Sequence, residues 1–287
     1  MPSERAVLLC LKRRFNMAKS PISWVGGKYR LAKTLIPMFP EHTTYVEVFG
    51  GAAHIMCRKE PSSVDIYNDI DGRLVNFFRV LQNDKQCNAL CERLRVTPYS
   101  REEFERAKVE INSTDDVTRA WAFAVPNKQS FGSRMEAWGV DVTTSEQTGK
   151  FSNLPVAIQK AVACLKQVQI ENSSFEYILK RYDRPGTFFY LDPPYPFTGE
   201  RSHAKAYANE MTDEDHNRLA DMLLHIKGKA MLSGYDTPLY APLEDAGWRK
   251  LSVGSSAMAI KRTAGKERMR KDEFVWVNYE ASVTGRQ

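Results

Sequence analysis

No apolar run in this chain of 287 residues is long enough to cross a membrane. The run nearest the N-terminus, Ala6–Leu11, lies between Arg5 and Lys12-Arg13-Arg14 and is also too short for the apolar region of a secretory signal. Cysteine is scarce: there are five, an odd number, with no C-x-x-C pair. That argues against a disulfide framework and against a zinc site, and it fits a reducing, cytoplasmic setting. Cys87 and Cys91, four apart, read as one helix face, so no metal is expected. Internal repeats and low-complexity tracts are lacking. The Gly26-Gly27-Lys28 stretch is not a P-loop, because Ile22 and Tyr29 stand where that loop needs Gly and Ser or Thr. Charge of one sign is not in large excess. A net charge of +6 and a pI near 9.0 favour an anionic partner without identifying nucleic acid. Apolar content of 43% and charged content of 26% describe an ordinary soluble protein with ample material for a core.

The most informative stretch runs from Gly186 to Tyr195. Thr187–Leu191 reads as a short, fully buried strand. Asp192-Pro193-Pro194-Tyr195 then ends it, since two prolines forbid both helix and further ladder pairing. A carboxylate, a proline carbonyl and an aromatic ring are thereby held at the strand's C-terminal end, where open α/β sheets bind ligands. The two adjacent acceptors suit the two N–H bonds of an exocyclic amine, and the ring suits stacking on a base. A proline-rich turn capped by Asp192 is the plainer alternative.

The rest alternates strand and helix around an interruption. Residues 1–16 form an N-terminal extension. Trp24-Val25-Gly26-Gly27-Lys28 is a glycine turn entering a helix through Leu31, Leu35 and Ile36. Thr44–Val48 predicts a strand, and Phe49-Gly50-Gly51-Ala52-Ala53-His54 a small-residue turn and helix start, with His54 a helix histidine. Such a turn admits a ligand close to backbone, though it lacks the full G-x-G-x-x-G. Val64–Asn68 is a second strand ending at Asp69, about 20 residues beyond Glu47, where Rossmann-like units hold a ribose-binding acid. A helix cap by Asp69 or Asp71 is the other reading, and both can hold. From 83 to 152 the alternation stops, which marks an inserted, mainly helical subdomain. Its Asn127-Lys128-Gln129-Ser130-Phe131-Gly132-Ser133-Arg134 could read base edges or could be a surface loop. Helix 154–165, strand 167–170, a short helix to Lys180 and strand 187–191 follow. A polar stretch to Glu210 reads as a lid or a solvated loop. Thr212-Asp213-Glu214-Asp215 is a capping box. Strand 229–233 and a hairpin of 253–259 with 273–279, across a basic segment, complete the sheet.

In this order, Trp-Val-Gly-Gly-Lys, Glu-Val-Phe-Gly-Gly-Ala-Ala, Asn-Asp, an insert and Asp-Pro-Pro-Tyr resemble the Dam-like (D12 class, alpha-group) N6-adenine DNA methyltransferases, especially compact phage-type members. The resemblance covers about Ser20 to Tyr279. It implies a Rossmann-like α/β fold with a mixed, mostly parallel sheet and helices on both faces. The catalytic domain would be 17–82 plus 153–287, and the target-recognition insert 83–152. It implies S-adenosylmethionine as cofactor, held by Trp24, Gly26, Gly27, Lys28, Glu47, Phe49, Gly50, Gly51, Asp69 and Asp192. Catalysis falls to Asp192, Pro193, Pro194 and Tyr195. DNA contacts fall to Asn127, Lys128, Gln129, Ser130 and Arg134, with Phe197, Arg201 and Lys205. Double-stranded DNA is the implied partner of a monomeric enzyme in a bacterial or phage-infected cell, of the kind found in restriction–modification. Two departures stand out: Val48 occupies a position often held by Pro, and Asn172-Ser173-Ser174 replaces the acid that commonly touches the cofactor adenine.

Cytosine-C5 chemistry is disfavoured because no cysteine follows a proline, and zinc deamination because Pro-Cys-x-x-Cys is missing. RNA adenine, cytosine N4 or a protein amide are rival acceptors, and Asp192 leans toward adenine. An inactive DNA-binding module of the same fold is the rival from another class.

Overall fold

A computed structural model describes residues 19–140, 142–196, 209–257 and 270–281. The chain divides into two units. One comprises residues 28–50, 62–70 and the described residues from 173 onward; the other comprises 19–27, 51–61 and 71–172.

The first unit is built on a sheet. Thr187–Leu191 forms β4, every residue of it buried. It pairs in parallel with β1 (Thr44–Glu47) on one side and β5 (Lys229–Tyr235) on the other. β2 (Val64–Asn68) lies outside β1, again parallel. Beyond β5 come β7 (Arg270–Val277) and β6 (Arg249–Ala257), both antiparallel to their neighbours. The order is therefore β2-β1-β4-β5-β7-β6. It confirms a mixed, mostly parallel sheet, and the closing hairpin is longer toward its N-terminal end than predicted.

β4 is apolar without alternation because both its faces are covered. Phe189 and Leu191 pack with Val46, Ile66, Leu219, Leu223, Leu232 and Trp276. Phe188, on the opposite face, meets Phe39 with ring centroids 4.7 Å apart and Tyr279 edge-on at 5.9 Å. Burying each such ring contributes about 1.5–3 kcal/mol.

Chain order sets the switch point. From β1 the chain moves outward to β2, and it later returns to β4 on β1's other side, so the order of strand addition reverses between β1 and β4. The C-terminal ends of these two strands, where Phe49-Gly50 and Asp192 stand, are where such sheets take ligands.

The second unit is helical: α2 (Gly72–Gln82), α3 (Asp84–Val96), α4 (Arg101–Glu110), α5 (Asp116–Gln129), α6 (Glu146–Ser152) and α7 (Leu154–Leu165), followed by the short β3 (Gln169–Glu171). It extends beyond the insert expected at 83–152 on both sides. Side-chain caps set its boundaries: Asp71, Asn83, Ser100 and Asp115 each accept a backbone N–H in the first turn of the helix they precede. The cap of α2 is thus Asp71, and Asp69 lies between it and β2. α5 is buried along most of its length; its Trp121 donates to Thr97 Oγ1 at 2.9 Å beneath the Arg93 guanidinium, 4.0 Å from the ring.

Two expectations are corrected in this unit. Residues 51–60 form successive turns rather than a helix. Gly51 (φ 48°) and Ala53 (φ 54°) both take left-handed conformations, which interrupt α-helical bonding at its first turn. His54 is accordingly a turn histidine. The cysteine reading also fails in part: Cys57 and Cys164 pair as a disulfide with Cα atoms 5.2 Å apart. They are 107 residues apart in sequence, so no local spacing announces them. Cys87 and Cys91 are free and buried on one face of α3, as expected.

In the sheet unit, a short helix α1 (Ala32–Leu35) follows Lys28 and continues as one 3-10 turn. α8 (Phe175–Tyr182) precedes β4. α9 (Asp213–Leu224) carries the predicted capping box, with Thr212 and Asp215 exchanging bonds. No helix among the described residues is long and apolar enough to cross a membrane.

Candidate active site

Asp192 leaves β4 at its C-terminal end, as the sequence indicates, and its carboxylate meets Lys28 Nζ at 2.9 Å. The Lys28 side chain is 4% exposed and that of Asp192 17%. A second carboxylate, Glu273 of β7, lies 3.7 Å from the same ammonium. Tyr195 closes the cluster: its ring centroid is 4.7 Å from Lys28 Nζ, and its hydroxyl donates to Glu273 Oε2 at 3.3 Å and pairs with Ser233 Oγ at 3.0 Å. The Tyr235 ring meets that of Tyr195 edge-on at 4.5 Å.

The electrostatics follow from this packing. Burial alone would lower the Lys28 pKa, but Asp192, Tyr190 and Glu273 together hold it above its ordinary value. Burial raises the Asp192 carboxyl; Lys28 opposes that shift, and Glu273 adds to it. Tyr190, two residues back on β4, is buried, and its hydroxyl has no hydrogen-bond partner among the described residues. His216 of α9 is wholly buried and pairs Nδ1 with the Tyr240 hydroxyl at 2.8 Å. Burial lowers its pKa against the pull of Asp213, Asp215 and the Pro194 backbone.

At the end of β1, Glu47 is buried and accepts from the Tyr45 hydroxyl at 3.3 Å. Gly50 donates to the Asn68 carbonyl at 2.7 Å, and a Cβ there would stand 2.1 Å from the Tyr67 ring. We therefore expect Gly50→Ala to cost about 1–3 kcal/mol through overpacking, read as a lower Tm by calorimetry. An unchanged Tm would show that the Tyr67 ring yields.

Sequence reasoning missed Asn68, Glu273 and His216. Asn68 Nδ2 donates to the carbonyls of Val48 (2.8 Å) and Ser173 (3.1 Å), and its Oδ1 accepts from Ser173 N (2.9 Å). One buried amide thus ties the loop after β1 to the Asn172-Ser173-Ser174 segment. An asparagine ending a buried strand was the only available signal.

In the helical unit, Trp24, Gly26, Gly27 and Gly51 stand together. Gly27 N donates to the Trp24 carbonyl at 3.1 Å across a turn in which Gly26 has φ 74°. A Cβ on Gly51 would meet the Trp24 indole at 2.9 Å, and one on Gly27 the His54 ring at 2.8 Å. Burial, then Lys128 and Arg58, push the His54 pKa down to about 4, so its ring is neutral.

The segment expected to touch DNA separates into inner and outer residues. Asn127 is fully buried and grips Ser23 with both ends of its amide, donating to the carbonyl at 2.8 Å and accepting from the N–H at 3.2 Å. Gln129 is also fully buried, bonded to the Pro98 carbonyl and the Trp138 indole. Ser130 Oγ accepts from Met135 N at 2.9 Å. In all three the polar groups are bonded inside the unit. Lys128 and Arg134 remain partly exposed. Lys128 Nζ is 3.4 Å from Ser23 Oγ, and burial, helped by Lys150, pushes its pKa down to about 8. Phe197, Arg201 and Lys205 lie outside the described residues. Among those described, no group of three or more His, Cys, Asp or Glu side chains is placed to hold a metal ion.

A mixed, mostly parallel sheet whose strand order reverses beside β4, with a carboxylate, a proline carbonyl and a tyrosine at that strand's tip, makes an α/β domain that takes its ligands at this end. The model of the D12 class N6 adenine-specific DNA methyltransferases matches residues 24–253, and the chain belongs to that family. Over 250 residues, 83% of this chain and 33% of the relative, it is 22% identical to the DNA N-6-adenine-methyltransferase of Escherichia phage P1. Over 227 residues, 75% of this chain and 82% of the relative, it is 27% identical to the type II methyltransferase M.CviBI of Paramecium bursaria Chlorella virus NC1A. A stretch of 65 residues, 22% of this chain, is 35% identical to modification methylase StsI of Streptococcus sanguinis. The matches span a tenth of StsI and a third of the phage P1 protein.

Proposed function

We propose that this chain transfers a methyl group from S-adenosylmethionine to the N6 amine of adenine in double-stranded DNA. The observation that carries this reading is the Asp192 carboxylate at the tip of the most buried strand, held by Lys28 at 2.9 Å and followed by Pro193 and Tyr195. The adenine N6 lone pair is delocalised into the ring, which makes the nitrogen a poor nucleophile. Asp192 and the Pro193 carbonyl would accept its two N–H bonds, letting the nitrogen pyramidalise and aim its lone pair. Catalysis then rests on positioning and electrostatics, with no covalent enzyme intermediate. Tyr195 would stack on the adenine once it has left the duplex.

When bound, S-adenosylmethionine supplies an electrophilic methyl on a sulfonium sulfur. The acceptors at the strand ends, Glu47, Asp69 and Asp192, suit its hydroxyl and amine groups, and the Tyr190 hydroxyl, without a hydrogen-bond partner among the described residues, lies near Asp192 and Glu47. Lys28, Phe49 and Gly50 complete the set in the sheet unit; Trp24, Gly26, Gly27 and Gly51 complete it in the helical unit. Target recognition falls to the helical unit between 83 and 152, with Lys128 and Arg134; Arg201 and Lys205 would hold the neighbouring phosphates in a salt-dependent way, and Phe197 would flank the adenine. The enzyme would act as a monomer in the cytoplasm of a bacterial or infected cell.

The test is incubation with methyl-labelled S-adenosylmethionine and separate DNA, RNA and protein acceptors, followed by nucleoside analysis. Label in N6-methyladenine of DNA is expected. Label confined to RNA or protein would change the substrate, and cofactor binding without any transfer would leave a DNA-binding module.

A further inference from the structure

Glu273 has no part in the strand-end motifs, yet it is 4% exposed and makes two contacts with groups that surround Asp192. β7 runs antiparallel to β5, so its early residues reach the end of the sheet where the parallel strands terminate; Glu273 lies opposite Tyr235. From there its Oε2 accepts the Tyr195 hydroxyl at 3.3 Å and faces Lys28 Nζ at 3.7 Å. Ser233 Oγ, 3.0 Å from the same hydroxyl, completes the hold on Tyr195.

We propose that Glu273 is a positioning residue for methyl transfer: it fixes Tyr195 and Lys28 around Asp192 and gives the cluster one more carboxylate than cation. The inference rests on the functional reading above. As the N6 lone pair forms its bond to the methyl carbon, the S–C bond breaks with its electron pair on sulfur, and the nitrogen bears positive charge until one of its protons passes to water. A cluster of Asp192, Glu273 and Lys28 places surplus negative charge beside that nitrogen, in a site where little water screens it. Asp192 with Lys28 alone would be a neutral pair.

The charge also reaches Asp192 itself. The titratable groups facing that carboxylate are Lys28, Glu273 and Tyr195, with Tyr190 on β4 and Tyr240 in the turn after β5. Of these Glu273 raises the carboxyl's pKa and Lys28 lowers it. Removing the Glu273 charge should therefore move the protonation of Asp192 to lower pH.

The experiment compares wild type, Glu273→Gln and Glu273→Asp on unmethylated genomic DNA, with kcat, KM for S-adenosylmethionine and kcat/KM measured from pH 5 to 9. Glu273→Gln is expected to lower kcat by about 10- to 100-fold with KM within about threefold, and to shift the acid limb to lower pH. Glu273→Asp keeps the charge, so it should recover part of kcat and leave the acid limb in place. If Glu273→Gln fails to fold, Glu273→Asp carries the test: an unchanged kcat, or an acid limb moved from the wild-type position, would overturn the inference. In Glu273→Gln, wild-type kinetics or a loss of kcat with an unmoved acid limb would overturn the inference alone. A wild type that makes no N6-methyladenine strikes the functional reading first and the inference with it.

Discussion

Asp192→Ala is expected to reduce methyl transfer below detection while S-adenosylmethionine affinity stays within about tenfold. In the proposed mechanism the residue acts mainly on the acceptor amine, so its loss would remove an interaction that matters in the transition state rather than in cofactor binding. The variant should also fold, because truncation removes a carboxylate whose ionised form burial disfavours. Lys28 would keep Glu273 as a partner at 3.7 Å. Calorimetry for cofactor binding and labelled-methyl incorporation into DNA check the two halves separately. Turnover near the wild-type rate would remove Asp192 from the chemistry.

Lys28→Met should act on both stability and rate. The ammonium is the one cation contacting Asp192 and Glu273 among the described ion pairs, and both it and Glu273 are almost wholly buried. Its removal leaves two carboxylates facing each other without a counter-charge, and breaking a buried pair from one side costs about 3–5 kcal/mol. The sign of the pH dependence follows from the shifts. The raised Lys28 pKa means that its contribution is complete below the ordinary lysine value of 10.5 and fades only as pH rises through the higher folded value. The wild-type advantage should therefore persist across neutral pH. Asp192 behaves oppositely: its carboxyl is raised by burial, so its ionised form costs stability, and that cost is relieved as pH falls. Without Lys28 the carboxyl rises further, so Lys28→Met should become relatively more stable between pH 8 and pH 5. Any remaining activity should show its acid limb at higher pH, the reverse of Glu273→Gln. Urea unfolding at several pH values and a pH–rate profile test this, and a pH-independent stability difference would contradict the assigned charges.

The two halves of the site were unequally visible in the sequence. Asp192-Pro193-Pro194-Tyr195, Gly26-Gly27-Lys28 and Phe49-Gly50-Gly51 are contiguous, and their meaning lies in local backbone rules: prolines end a strand, glycines permit tight turns, and a five-residue apolar run must be buried on both faces. β4 could be read from these rules, and the order of the three motifs resembled the family. Partners that come from distant chain segments could not. Lys28 was read as a cofactor residue, and its contact with Asp192 spans more than half the chain. Cys57 and Cys164, 107 residues apart, gave no spacing signal, and their disulfide corrects the expectation of unpaired thiols.

Asn127 and Gln129 show the same limit in the opposite direction. Polar amides in an irregular segment read equally as surface groups or internal braces, and only packing distinguishes them. Here α5 buries both, and their hydrogen bonds hold Ser23, Pro98 and Trp138.

By itself the sequence determined the mixed α/β class and the strand that ends at Asp192, because these depend on periodicity and on residues adjacent in the chain, and the order of its motifs resembled the family. Only the tertiary structure decided that Glu273 enters the cluster from an antiparallel strand, that Asn68 ties two loops together, and that residues after Gly51 turn instead of coiling into a helix. Those outcomes depend on strand direction, register and burial, which arise when segments far apart in sequence exclude water from one another.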